Sequence, residues 1–214
     1  MKIVPFNPDT LKEAVQILKQ GGVVAHPADT CFGLAGDLMS EKTFRQIQAI
    51  KGRDANKPMN VMISVPEQLR MKKYVKLDDF SSFVAFKLFP SMITLLLPKG
   101  PSIPSYYFPG TPLVGLRVPM HDLTQDLLRA FGGPLITTSA NISGGPLSFR
   151  HQDVVEAFKK QKTRPDLIFE GDLRAGGKKA STVISIEKDH LQIHRKGPIT
   201  ASQLRAILGV PVKE

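Results

Sequence analysis

The chain has 214 residues, with 29 Lys and Arg against 19 Asp and Glu, and its 42% hydrophobic and 22% charged content excludes a disordered or fibrous protein. No apolar run approaches the roughly 20 residues that cross a bilayer, Met1 to Pro5 carry no signal-peptide core, and the single cysteine, Cys31, excludes an internal disulfide and a multi-cysteine metal site. A cytoplasmic protein is therefore expected, with residues 1–214 as one domain, and its formal charge of +10 suits phosphates in a pocket or a nucleic-acid backbone.

Short β-rich runs alternate with helical patterns along the chain, which predicts an α/β or α+β layered domain. Thr10 and Glu13 make a capping-box pattern ahead of Leu11, Ala14, Val15 and Leu18, and Gly21-Gly22 ends that helix. A strand follows at Val23 to His26. The next segment, from His26 through Pro27, Ala28, Asp29, Thr30, Cys31 and Phe32 to Gly33-Leu34, reads as a loop leaving a strand. Open α/β sheets place ligands at such loops, although Pro, Asp and Gly are ordinary turn residues as well. Cys31 reads as a small buried hydrophobe. Ser40 caps a second helix with the apolar stripe Phe44, Ile47 and Ile50, and this helix delivers Lys51-Gly52-Arg53 at its end. Lys51, Arg53 and Lys57 surround a glycine and suit either a phosphate or a solvated basic loop favoured by the helix dipole.

Further on, a strand is expected at Asn60 to Ser64, a helix at Asp79 to Phe89, and strands at Ile93 to Leu97 and Val114 to Val118. Arg117 stands inside the last of these, where its planar fork must snorkel to solvent or meet an anion. A helix at Leu123 to Phe131 and a strand at Leu135 to Thr138 lead into Ser139-Ala140-Asn141-Ile142-Ser143-Gly144-Gly145, whose hydroxyls and amides suit an anion-binding concavity. The remainder reads as a helix at Gln152 to Lys159 and strands at Leu167 to Phe169, Thr182 to Ile186 and Leu191 to His194. A last helix, Thr200 to Leu208, has Thr200 and Gln203 as its capping pair.

Six segments in order resemble the YrdC/TsaC family of threonylcarbamoyl-AMP synthases, over about Gly21 to Gly197. They are Pro27 to Leu34, Lys51 with Arg53, Arg117 to Pro119, Ser139 with Asn141, Ser181 to Val183, and Arg195. The resemblance is to the short form, without an added C-terminal domain. It departs from the usual pattern at Ala28, Asp29, Cys31, Phe32, Asn60 and Leu113.

The resemblance implies an α/β fold, a twisted mixed sheet flanked by helices around a large basic cleft. It implies that L-threonine, bicarbonate and ATP become threonylcarbamoyl-AMP and pyrophosphate, for threonylcarbamoyladenosine in tRNA. Thr30, Arg117, Thr137 and Ser181 would then contact threonine, and Lys51, Arg53, Lys57, Ser139 and Arg195 would contact ATP. Lys51, Arg53, Ser139 and Asn141 would form the catalytic set. Mg²⁺ is expected with ATP, held by phosphates and water with no metal ligands from the protein. Expected partners are the threonylcarbamoyl-transferase machinery and, as a further partner, tRNA or double-stranded RNA, with no membrane. A non-catalytic RNA-binding module is the alternative, favoured by Lys72-Lys73, Lys159-Lys160 and Lys178-Lys179 but lacking an aromatic RNA-binding signature. A carbamoyl-transfer enzyme with another acceptor is a third.

Overall fold

The computed structural model describes residues 1–52, 58–173, 179–188 and 190–214. In chain order the elements are β1 (Lys2–Val4), α1 (Pro8–Lys19), β2 (Val24–His26), β3 (Gly33–Asp37), α2 (Glu41–Lys51), β4 (Asn60–Met62), a 3-10 helix (Pro66–Lys73) and α3 (Asp79–Leu88). They continue with β5 (Ile93–Pro98), β6 (Leu113–Arg117), α4 (Asp122–Phe131), β7 (Leu135–Ser139), α5 (His151–Phe158), β8 (Leu167–Phe169), β9 (Thr182–Ile186), β10 (Leu191–Arg195), α6 (Ala201–Leu208) and β11 (Val212–Lys213).

Eleven strands among these residues form one mixed sheet in the order β1-β8-β2-β3-β7-β4-β6-β5-β9-β10-β11. Parallel pairs such as β4 with β6 and β5 with β9 are mixed with antiparallel ones such as β3 with β7. Because side chains alternate along a strand, each strand divides its residues between two faces. On one face Ala25, Leu34, Val61, Ile136, Leu116 and Leu95 pack with Phe44, Ile47 and Ile50 of α2, Val84 of α3, Phe158 of α5 and Leu204 of α6. On the other, Val24, Ala35, Leu135 and Met62 pack against Ala14, Val15 and Leu18 of α1 and Leu127 and Leu128 of α4.

The second face is only half covered. Stepping two residues along the same strands reaches His26, Gly33, Thr137, Ser139 and Asn60, and the ladder carries this face on to Gly115, Arg117 and Thr94. Polar side chains and glycines replace the aliphatic ones there.

The helix ends follow local chemistry. Ser40 accepts from the Thr43 amide at the start of α2, and Gly52 closes that helix with φ 54°, a left-handed conformation that glycine adopts without a Cβ penalty. Thr200 and Gln203 cap α6 reciprocally. The cap of α1 differs from the expectation. Asn7 takes that place, accepting from the Asp9 and Thr10 amides, and Thr10 is its capping-box partner. Pro8 presets a helical φ at the first position, so the helix starts earlier, while Glu13 pairs with Lys2 at 2.7 Å. The expected loop through Leu34 is shorter, because Gly33 and Leu34 already belong to β3.

Candidate active site

The uncovered half of the sheet face floors a cavity of about 430 Å³. Thr30 and Cys31 reach it from the loop after β2, Lys51 from the last turn of α2, and Arg117 from the end of β6. Thr137, Ser139 and Asn141 reach it from β7 and its following turn, and Ser181 and Arg195 from the start of β9 and the end of β10. Every expected site residue among the described ones is therefore brought to one place. Arg53 and Lys57 lie outside the described residues.

Lys51 is only 3% exposed, so the solvated-loop alternative does not hold for this cation. Its Nζ donates to the Ser139 carbonyl at 2.6 Å and to Asn141 Oδ1 at 3.0 Å. Ser139 Oγ donates to the same Oδ1 at 2.6 Å, and Asn141 Nδ2 donates to the Gly145 carbonyl at 2.6 Å. The Ser143 amide in turn donates to the Lys51 carbonyl at 3.0 Å. A buried ammonium persists only where such oxygens replace its water, and the Lys51 and Ser139-Asn141 segments supply them to each other.

Arg117 meets its anion inside the protein. Nη2 lies 2.7 Å from Asp29 Oδ1, with the two side chains 9% and 5% exposed, and Asp29 Oδ2 accepts from the Met120 amide at 3.1 Å. Arg117 Nε is buried without a hydrogen-bond partner among the described residues. Part of the guanidinium fork is thus fixed by Asp29, and the remainder stands at a cavity that suits a further carboxylate.

At the opposite wall Arg195 donates through Nε to the Ser181 carbonyl and through Nη2 to Ser181 Oγ, both at 3.0 Å. Ser181 Oγ also shares a 2.8 Å bond with Thr94 Oγ1. Desolvation, with the Arg117 charge adding to it, holds the Arg195 pKa below the usual arginine value. Burial likewise pushes the Cys31 thiol up, although Arg117 and Arg195 pull against it. This cysteine is a cavity wall and not an activated nucleophile.

Sequence reading missed Thr94, whose only signal is a hydroxyl within Ile93-Thr94-Leu95-Leu96-Leu97, and it placed Asp29 in the candidate loop and among the departures from pattern without giving it a role. The assembled groups place cations, hydroxyls and amides around one cavity, an arrangement able to stabilise charge on phosphates and carboxylates without covalent catalysis.

The chain is similar to known proteins over most of its length. A Bos taurus protein named threonylcarbamoyl-AMP synthase is 33% identical over 163 residues, covering 76% of this chain and 56% of its own length. A Stenotrophomonas maltophilia protein of the same name is 31% identical over 146 residues, covering 68% of this chain and 78% of its own. The chain thus spans just over half the length of the bovine relative. The crystal structure of Pyrococcus abyssi Sua5 complexed with L-threonine superposes with a TM-score of 0.85 at 26% identity, covering 99% of this chain and 61% of that one. The model of the Sua5/YciO/YrdC family, described as "Telomere recombination", matches residues 16–197, and the chain belongs to that family.

Proposed function

We propose that the chain condenses L-threonine, bicarbonate and ATP into threonylcarbamoyl-adenylate, the activated group for threonylcarbamoyladenosine in tRNA, acting in the cytoplasm as a single domain. The observation that carries this reading is the convergence of Lys51, Arg117 and Arg195 with Thr30, Thr137, Ser139, Asn141 and Ser181 on one cavity. The name of the relatives and the threonine in the Sua5 crystal support it.

The threonine nitrogen takes up CO2 derived from bicarbonate and loses a proton. A carbamate oxygen then attacks the α-phosphorus of ATP, and the bond to the bridging oxygen breaks to release pyrophosphate. The unfixed part of the Arg117 fork pairs with the threonine carboxylate, beside Thr30, Thr137 and Ser181. Lys51, Ser139 and Arg195, with Arg53 and Lys57, take the phosphates, and Asn141 keeps Lys51 and Ser139 aligned. Magnesium would arrive with ATP, held by phosphate oxygens and water. Among the described residues no group of three His, Cys, Asp or Glu side chains stands together to cage a metal.

The test is production of AMP and pyrophosphate by the purified chain. Both appear only when threonine, bicarbonate and ATP are all present, and equal turnover with glycine refutes the threonine assignment. Arg117→Lys keeps the charge but loses the fork, so the threonine KM rises strongly while the ATP KM stays nearly constant. An unchanged threonine KM would remove Arg117 from the substrate site. Lys72, Lys73, Lys159, Lys160 and Lys179 are exposed and outside the cavity. If they bind RNA, that affinity falls steeply with salt while AMP formation persists.

A further inference from the structure

The strand leading into the cavity ends in His26, which is fully buried and does not line the cavity. Its Nδ1 lies 3.0 Å from the Pro27 carbonyl oxygen. A carbonyl only accepts, so Nδ1 carries the ring hydrogen and Nε2 presents a lone pair. Thr124 Oγ1 donates to the same carbonyl at 2.9 Å and lies 3.3 Å from Nδ1, so it shares that hydrogen and fixes the ring from behind. Burial pushes the His26 pKa down to about 4, which keeps the ring neutral.

On the other side of the ring, Nε2 has no hydrogen-bond partner among the described residues. Buried acceptors are rarely left so, because the lost hydration is not replaced. Across the ladder from His26 stands Gly33. A β-carbon there would lie 3.3 Å from His26 Nε2 and 3.3 Å from Thr137 Oγ1. Glycine therefore leaves open the space that these two polar atoms share. Thr137 lines the cavity and His26 does not, so any effect of the imidazole on a ligand must pass through the threonine hydroxyl.

We propose that His26 is a positioning residue for Thr137: on substrate binding its Nε2 takes the Thr137 hydroxyl hydrogen and turns the oxygen lone pairs to the cavity, as an acceptor for an N–H or O–H of the amino acid. This rests on the reading of Thr137 as a threonine contact. A neutral imidazole suits the task because it cannot donate through Nε2, so the hydroxyl has one orientation available. The cavity wall at Thr137 then accepts from ligand donors and disfavours a carboxylate oxygen, which leaves the substrate carboxylate to Arg117.

The experiment uses the full chain, labelled with ¹⁵N-histidine, and L-threonine as the probe. Free protein shows Nε2 of His26 as an unprotonated imidazole nitrogen, and saturating threonine moves that resonance towards the hydrogen-bonded value. Thr137→Val abolishes the movement and Thr137→Ser retains it. In parallel, His26→Phe weakens threonine binding roughly three- to tenfold, the worth of one neutral hydrogen bond, with ATP affinity unchanged. In the Thr137→Val background His26→Phe has no further effect. A resonance that ignores Thr137, or an undiminished effect of His26→Phe in that background, overturns the inference while threonine binding stands. Failure of the wild-type chain to bind threonine instead removes the functional reading and the inference with it. The resonance arm requires no substitution at His26, so misfolding of that variant does not leave the question open.

Discussion

Replacing Asp29 by Asn removes one charge from the Arg117 pair and changes the shape of the site very little. Asn keeps an oxygen for Arg117 Nη2, but the Arg117 charge, on a side chain only 9% exposed, loses its counter-charge. The second carboxylate oxygen becomes an NH2 that faces the Met120 amide, so donor meets donor where a 3.1 Å bond stood. Removing one partner of a buried ion pair costs about 3–5 kcal/mol, and the retained hydrogen bond puts the expected loss near about 3 kcal/mol. For a chain of this size each kcal/mol lowers Tm by about 2–4 °C, which predicts a fall of about 6–12 °C by circular dichroism at pH 7. The Tm gap should persist in about 0.5 M salt, because a desolvated pair is screened far less than a surface one. Threonine KM should rise as well, since the guanidinium loses the anchor that aims it. A Tm drop under about 2 °C, or a gap that salt erases, would refute the argument that Asp29 neutralises a buried charge.

Lys51→Met keeps the stem and removes the ammonium. One charge-assisted contact to a phosphate is worth about 1.5–3 kcal/mol, so kcat/KM for ATP should drop about ten- to a hundredfold, and loss of the bonds to Ser139 and Asn141 should lower Tm; unchanged kinetics would place phosphate binding elsewhere. Gly115→Ala sets a β-carbon 2.3 Å from Asn60 Oδ1 and 2.8 Å from Thr94 Cγ2, overpacking the cavity floor at about 1–3 kcal/mol, and its threonine KM should rise, whereas wild-type values for both would show that the floor yields freely. His26 shapes the response to acid. An unfolded imidazole gains its proton near pH 6.5 and buried His26 only near about 4, so the unfolded state binds more protons between those values and stability declines as pH falls through them, by up to about 3 kcal/mol. Urea unfolding of His26→Phe across that window should show a decline shallower by this amount, and parallel curves would argue against a neutral buried His26.

Much of this was legible because the signals were local. Ser40 with Gly52 and Thr200 with Gln203 mark helix ends through hydrogen bonds that span three or four residues, and sequence shows them directly. The cap at Asn7 was missed because Pro8 and Thr10 supply competing start signals within one turn. β1 and β3 were missed for a different reason: Lys2–Val4 is short, and Gly33–Asp37 carries two glycines, so neither shows alternation, and each is defined by partners far along the chain, Leu167–Phe169 and Leu135–Ser139. The site residues stood out as polar groups at strand ends, but their arrangement did not. Asp29 and Arg117 are 88 positions apart, and nothing near either one announces the pair. Thr94 escaped because it sits in an otherwise apolar strand, and His26, although it opens the loop segment, showed no role because its neighbours Gly33 and Thr137 come from other strands.

The double tie between the end of α2 and the turn after β7 constrains how the protein can vary over generations. Lys51 grips that turn through its side chain and receives the Ser143 amide on its carbonyl, so the turn after β7 is held against the end of α2. A substitution at Asn141 takes one oxygen from a buried ammonium, and one at Lys51 strands the oxygens gathered around it. Single replacements at either end meet the same penalty, which is not doubled when both change together. The two stretches therefore respond to substitution as one unit although Lys51 and Ser139 are 88 positions apart.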